Sequence, residues 1–311
     1  MKKTFFYLAM AVMTAMCMTA CEESDDNDSR GEENNTSAIV TPTYDDEACT
    51  LTPNAPIDLG SGYSLMKIDL TESGKAYFLL KKDNEFYINS VYTYKDKVYT
   101  MNSKTVKGTI EIMTARSTQT VSLKVNITIH LTDGTVLTID STMLGDILWT
   151  MEKNDATGDK DLFSSWKIIG ITLDLKGDVK GYKEFPNGNL ANIRDFAEEQ
   201  GADFTEKERK DFEKTIEYVT ITKNGLMTFD YSDGTSDGGD WNWVNNQYKQ
   251  LQLKLQDRYM GNKFIVDNAS IDYTAYKEKA RCELRLNANI SGNKKYEAHV
   301  TFLLQQVPEV K

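Results

Sequence analysis

Val121-Ser122-Leu123-Lys124-Val125-Asn126-Ile127-Thr128-Ile129-His130-Leu131 alternates apolar and polar residues without a break. A period of two puts every apolar side chain of this run on one face, the pattern of a strand with one side buried and one in water. Asp133-Gly134 follows, the dipeptide best suited to a tight hairpin turn, and Val136 to Ile139 supplies the returning strand. The fold around this hairpin is therefore built from antiparallel β structure.

Outward from the hairpin the same signals recur. Met66, Ile68 and Leu70 alternate with polar neighbours, and Ala76 to Leu80, Phe86 to Tyr94, Val98 to Met101 and Thr109 to Met113 are rich in aromatic and branched residues. Short polar loops such as Lys82 to Glu85 and Lys95 to Lys97 separate them. Strands this short and this closely spaced predict a β-sandwich or a small barrel over residues 48–153. A polar run without apolar periodicity, Glu152 to Asp161, ends this first domain, and residues 154–161 read as a linker.

Residues 162–311 form a second domain that opens with Trp166-Lys167-Ile168-Ile169-Gly170-Ile171. Two helices are expected next. Leu190, Ile193, Phe196 and Ala197 share a helical face, with Gly201 placed to stop it, and Thr205 with Glu208 makes a capping box ahead of Phe212 and Ile216. Strand patterns then return, with turns at Lys223-Asn224-Gly225, Asp233-Gly234 and Ser291-Gly292-Asn293. Leu251, Leu253 and Leu255 alternate with polar residues, and Cys282, Leu284, Leu286 and Ala288 share another face. About eight strands in one domain suggest an up-and-down antiparallel barrel, whose closure removes exposed sheet edges.

The first 47 residues have another character. Lys2 and Lys3, an apolar stretch from Phe5 to Met18 and the small residues Thr19 and Ala20 read as a signal peptide over residues 1–20. The stretch is shorter than the ~20 apolar residues a spanning helix needs. Residues 22–47 then carry ten acidic residues against Arg30 alone. So polar a segment cannot bury enough surface to offset the entropy of ordering it, and residues 21–47 read as a disordered tether. Fully extended it reaches about 90 Å, and as a flexible coil about 30 Å.

Three resemblances follow from these residues. Met18-Thr19-Ala20-Cys21 resembles the lipobox of bacterial lipoproteins, which implies a lipid anchor on Cys21; ordinary cleavage nearby is the alternative. Glu22-Glu23-Ser24-Asp25-Asp26-Asn27-Asp28 resembles the acidic export tag of Bacteroidetes-type surface lipoproteins, which implies an outward-facing protein on the outer membrane; a plain solvated linker is the alternative. The second domain resembles lipocalin-like, calycin-type domains through the tryptophan in Leu162-Phe163-Ser164-Ser165-Trp166, the run Leu226 to Tyr231 and Gly238-Gly239-Asp240-Trp241. Ser164 stands where that family has the glycine of Gly-x-Trp, and two helices interrupt the chain after the first strand. A fold of this kind implies a cup for a small apolar or amphipathic molecule.

Charge narrows the partners. The whole chain has a formal net charge of -11, but residues 48–311 hold 33 basic against 37 acidic residues, so the acidity is concentrated in the tether. No concentrated basic patch of the sort nucleic acid requires is present. No phosphate loop, dinucleotide fingerprint, nucleophile elbow or Cys-x-x-Cys pair appears, and no cofactor is expected. Only two histidines exist, His130 and His299, each opposite the apolar residues of its strand, which makes a triad or metal cluster hard to build.

The remaining candidates each have a plainer reading. Cys49 and Cys282 could pair in an oxidising compartment, or Cys282 could serve as a small apolar residue in a strand. Asp230, Asp233, Asp237 and Asp240 could offer oxygens to Ca²⁺, or belong to a glycine-rich hairpin. Trp241 and Trp243, two apart on a strand, and nearby Tyr248 could line a ligand cup or a sugar-stacking surface, or could be core aromatics. Asp140-Ser141-Thr142 resembles the O-glycosylation motif of exported proteins in the same bacterial group, with Ser141 as the acceptor. Together these readings favour a non-enzymatic binding lipoprotein for a small amphipathic molecule or a glycan. The rivals are a structural or host-interaction protein whose β domains are spacers and, further off, a glycoside hydrolase with two carboxylates across a cleft.

Overall fold

The fold is that of a computed structural model, which describes residues 48–307 apart from 84, 116–118, 145–146, 153–161, 179, 201–205, 244–249, 257–262, 273–280 and 292–294. The first half contains β1 (Cys49–Pro53), β2 (Ile57–Gly60), β3 (Tyr63–Leu70), β4 (Lys75–Lys81), β5 (Glu85–Lys95), β6 (Val98–Asn102), β7 (Val106–Ala115), β8 (Thr120–His130), β9 (Val136–Asp140), the short helix α1 (Ser141–Leu144) and β10 (Trp149–Glu152). Eight of these strands close a ring of antiparallel pairs in the order β1-β3-β4-β5-β6-β7-β8-β10, with β10 returning to β1. β2 lies on β3, and β9 forms the expected hairpin with β8.

Side-chain alternation decides what fills this ring. Along β8, Val121, Leu123, Val125, Ile127 and Ile129 are buried, and Lys124, Asn126 and His130 are exposed. An eight-stranded ring has an interior just wide enough for side chains to fill. Here Leu51, Leu65, Ile68, Leu70, Phe78, Leu80, Ile110, Val125, Ile127, Ile129 and Trp149 fill it, none more than 1 % exposed. Each such aliphatic or aromatic residue contributes roughly 1.5–3 kcal/mol over the exposed state. The first barrel is a solid body.

β3 departs from the alternation expected of Met66, Ile68 and Leu70. A bulge shifts the register between Leu65 and Lys67, so Ile68 and Leu70 stay in the core while Met66 turns to the outer face. One extra residue in a strand reverses the facing of whatever precedes it.

The second half contains β11 (Ser165–Gly177), β12 (Gly181–Phe185), β13 (Gly188–Asn189), α2 (Leu190–Glu199), α3 (Glu206–Asp211), β14 (Thr215–Ile221), β15 (Leu226–Tyr231), β16 (Thr235–Trp243), β17 (Gln250–Gln256), β18 (Lys263–Asp272), β19 (Arg281–Ser291) and β20 (Lys295–Gln306). These close a second antiparallel ring in the order β11-β14-β15-β16-β17-β18-β19-β20, β20 pairing back onto β11. Leu190, Ile193 and Phe196 form the buried stripe of α2 as expected, and Phe196 meets Phe185 of β12 edge-on at 6.2 Å. The second helix is shorter than expected: it stops at Asp211, and Ile216 belongs to β14. The run Thr215 to Ile221 is dominated by β-branched residues, which lose side-chain freedom in a helix and fit a pleated sheet. Thr205 and Gly201 lie outside the described residues.

The two rings are joined side by side. Thr235 and Ser236 of β16 pair with Ile88 and Tyr87 of β5. The β15–β16 turn seats against the first barrel, where the Gly234 carbonyl accepts the Asn89 N–H at 3.1 Å. A β-carbon on Gly234 would stand 2.3 Å from Thr105, and φ there is +81°, so both space and backbone demand glycine. Two strands are consequently buried on both faces. Ala76, Phe78 and Leu80 of β4 point into the first core while Tyr77 and Leu79 point out, meeting Leu226 of β15 in a separate apolar cluster with Tyr87. All six residues of β15 are buried.

Candidate functional site

At the centre of this seam lies a buried carboxylate. Asp230 alternates outward from β15 toward the first barrel and is 3 % exposed. It receives the Lys75 ammonium at 2.6 Å, the Tyr77 hydroxyl at 2.9 Å, the Ser236 hydroxyl at 2.8 Å and the Thr220 hydroxyl at 3.4 Å. Lys75 also lies over the Tyr218 ring, 4.2 Å from its centre. Burial and the neighbouring Asp230 charge both hold the Tyr77 phenol well above its ordinary pKa, so it stays a donor.

A second acid, Asp69, sits near one edge of the seam. It accepts from Thr50 at 2.7 Å and from Asn224 of the β14–β15 turn at 3.1 Å, and pairs with Lys67 at 3.1 Å. Burial works against the Lys67 charge, but Asp69, together with Tyr87 and Asp240, outweighs it and holds Lys67 above the usual lysine range. Buried charges persist only when so compensated. Nothing in this arrangement is open to a substrate; its chemistry is that of a joint.

The tryptophan candidates lie on the inward face of the second ring. Along β16 one face carries Thr235, Asp237, Gly239, Trp241 and Trp243, the other Ser236, Gly238, Asp240 and Asn242. Trp241 and Trp243 do share a face, their rings edge-on at 5.1 Å. Trp241 is 3 % exposed, stacks on Phe163 at 5.9 Å and donates its indole N–H to the Thr222 carbonyl at 3.1 Å. Trp166 beside it is wholly buried and donates to the Leu162 carbonyl at 3.0 Å. Leu162, Phe163, Trp166 and Trp241 thus seal one end of the second barrel. The described part of the tryptophan site is a floor, and Tyr248 lies outside the described residues.

Farther along β16, away from this end, an acid faces inward. Asp237 pairs in register with Phe229, whose ring packs on Phe302 at 5.5 Å. Residues directly opposed on antiparallel strands share a face, so Asp237 points inward. It accepts the Tyr231 hydroxyl at 2.5 Å and is half-buried, whereas Phe229 and Phe302 are wholly buried. At the adjoining turn Lys214 pairs with Asp233 at 2.6 Å and donates to the Thr235 hydroxyl at 3.2 Å. Burial of Asp233 opposes its charge, but Lys214 and Thr235 prevail and its carboxyl lies below the usual range.

Two of the candidate sets are spread apart in the structure. The four aspartates considered for Ca²⁺ do not converge: Asp230 faces the seam, Asp237 faces the interior, Asp233 is held by Lys214 in the turn, and Asp240 is exposed. Alternation along a hairpin separates side chains that are close in sequence, and among the described residues no group of three or more His, Cys, Asp or Glu is placed to hold a metal. Cys49 and Cys282 are not bridged; Cys49 is buried in the first core and Cys282 in the second ring, opposite Leu304. Ser141 is exposed at the first turn of α1, beside the Asp140 cap that accepts the Thr142 N–H at 2.8 Å. His130 is exposed, and His299 Nε2 lies 3.2 Å from Glu297. Cys21 lies outside the described residues. Among them, no helix is long and apolar enough to cross a membrane.

Sequence reasoning missed Lys75, Tyr77 and Tyr231 altogether, and read Asp237 only as a metal ligand. The available signal was the aspartate in the otherwise continuous run Leu-Met-Thr-Phe-Asp-Tyr at 226–231, since a strand buried on both faces reads as an unbroken apolar stretch.

No family model matches the chain, and no curated protein matches it. A porin-like protein from Bacteroides uniformis, known from a crystal structure, aligns over 84% of this chain and 97% of its own length at 11% identity. The TM-score of that alignment is 0.11.

Proposed function

We propose that the chain is a lipid-anchored surface protein that works by binding, with the second, lipocalin-like barrel as the binding module and the first barrel as its solid support. The observation that carries this reading is the contrast between the two interiors. The first is packed throughout with aliphatic and aromatic side chains. The second also buries Trp166, Leu173, Val219, Phe229, Leu284 and Phe302, but among them it carries an inward-facing, half-buried carboxylate, Asp237, with Tyr231 as a hydrogen-bond partner. Ligand sites are characteristically apolar recesses with a few placed polar groups.

Attachment is assigned to a lipid on Cys21 and not to the barrels. The outward positions of β8 are Ser122, Lys124, Asn126, Thr128 and His130, and those of β11 include Lys167 and Asp174. A barrel facing hydrocarbon carries an outer apolar band in those places. Among the described residues no catalytic constellation speaks for the hydrolase alternative, and binding needs none.

Native mass spectrometry of the mature chain, purified gently from its source and compared with the same chain after unfolding and refolding, tests the reading. The expected result is a mass excess that disappears on refolding. A chain with no excess and no affinity for any amphipathic molecule or glycan overturns it in favour of a spacer.

A further inference from the structure

Among the described residues, neither ring is paired along its whole length. β4 pairs with one edge of β5 from Glu85 to Lys95's neighbour Val91, but β6 meets the other edge only from Tyr92 to Lys95. β16 in turn pairs with β17 only from Gly239 onward. An overhanging strand edge is a template for another strand, and these two overhangs meet each other. Ile88 pairs with Thr235 and Tyr87 with Ser236, and the Asn89 N–H reaches the Gly234 carbonyl. Each overhang thus completes the sheet of the other ring.

Three features make this contact selective. Thr105, whose hydroxyl donates to the Asn89 carbonyl at 2.8 Å, leaves a notch that only a glycine turn enters. The Asn89 side-chain amide donates to the Ser236 hydroxyl at 2.7 Å, and that hydroxyl donates to Asp230 at 2.8 Å, on the carboxylate that Lys75 and Tyr77 engage from β4. Beside them Tyr77, Leu79 and Tyr87, on the outside of the first ring, are buried in one cluster with Leu226 of the second. A contiguous outward apolar patch rimmed by polar residues is the mark of a protein interaction site. The charged pair sets the register of such a contact more than its strength.

We propose that the outer face of β4 and β5 is an acceptor surface for one kind of partner. That partner is an antiparallel hairpin with an acid four residues before a turn glycine and a hydroxyl residue two after it. The second barrel supplies it with Asp230, Gly234 and Ser236. The two rings are then one assembled unit, whose association outlasts the covalent link between them.

The test is a protease site placed within residues 154–161 of the full chain and cut after folding, the fragments being followed by size-exclusion chromatography with mass detection. At micromolar concentration the fragments are expected to elute together and to unfold in urea in one shared transition. Gly234→Val sets a side chain against Thr105 at a backbone angle that strains valine, and is expected to weaken the association of the cut fragments by about tenfold or more. Fragments of the unmodified chain that elute apart, each with its own unfolding transition, overturn the proposal. Fragments of the Gly234→Val chain that associate as tightly as the unmodified ones overturn it too. Should that variant fail to fold, Ser236→Ala, which removes the hydroxyl between Asn89 and Asp230 without adding bulk, is read in the same way. Ligand binding plays no part in these readouts, so this proposal and the binding reading stand or fall separately.

Discussion

The two barrels have the same number of ring strands and the same antiparallel pairing, yet the described interior of the first is apolar throughout and that of the second admits a carboxylate, Asp237. In the first, alternation delivers Val125, Ile127, Ile129, Leu65 and Phe78 to a common core with no charged group among them. In the second, the same alternation puts Trp241 and Asp237 on the inward face of one strand. Strand number sets the size of the interior; the residues placed at inward positions decide whether it is a core or a receptacle. The difference also explains the seam, because a solid barrel can serve as a bearing surface on which a second one is fixed.

Breaking the joint is the most disruptive way to challenge this comparison. Asp230→Ala leaves the Lys75 ammonium buried without its partner, which is expected to cost about 3–5 kcal/mol. Urea unfolding followed by circular dichroism and by tryptophan fluorescence checks it. The two probes are expected to coincide in the unmodified chain, and a loss below about 1 kcal/mol denies that the seam is a joint.

Truncating the solid interior separates support from binding. Ile127→Ala is expected to cost about 2–5 kcal/mol by removing buried methyl groups and leaving a cavity. Ligand affinity at a temperature where the variant is still folded is expected to stay the same. A parallel loss of affinity would assign the ligand to the first barrel.

Trp241→Phe sharpens the distinction between floor and ligand-lining residue. Loss of the indole N–H leaves the Thr222 carbonyl without that donor and shortens the stack on Phe163, an expected loss of about 1–3 kcal/mol. A stability change within experimental error, accompanied by lost binding, would make the indole a ligand contact only.

Acid is the mildest lever. The pKa of Asp233 is depressed in the folded chain, so its contribution is present above the ordinary carboxylate value of about 3.9 and is lost as pH falls through its lower folded value. The β15–β16 turn is therefore expected to loosen only at strongly acidic pH. Lys214→Met should reduce that part of the acid dependence, read from unfolding midpoints at successive pH values.

What the sequence made legible follows from how many faces of a strand are buried. β8 has one buried face, and its alternation gives both its structure and its orientation. β4 and β15 have two, so Ala76 to Leu80 and Leu226 to Tyr231 show apolar character without saying what the second face meets. The answer lies with a partner 155 residues away for Lys75 and Asp230, a distance no local pattern encodes. The shared face of Trp241 and Trp243 was readable from their spacing. Whether that face was floor or lining depended on Phe163 and Thr222, which reach it through barrel closure. Ile216 was misassigned to a helix because Phe212 and Ile216 stand at helical spacing, while the β-branched run after Thr215 governs the structure.

The division of labour proposed for the barrels is tested most directly by backbone amide NMR of the isotopically labelled protein during titration with an amphipathic probe such as dodecanoate. The expected shifts centre on Asp237, Gly239, Trp241 and Tyr231, with Val125, Ile127 and Ile129 of the first core unmoved. Shifts centred on the first core, or none in either barrel, would contradict the account.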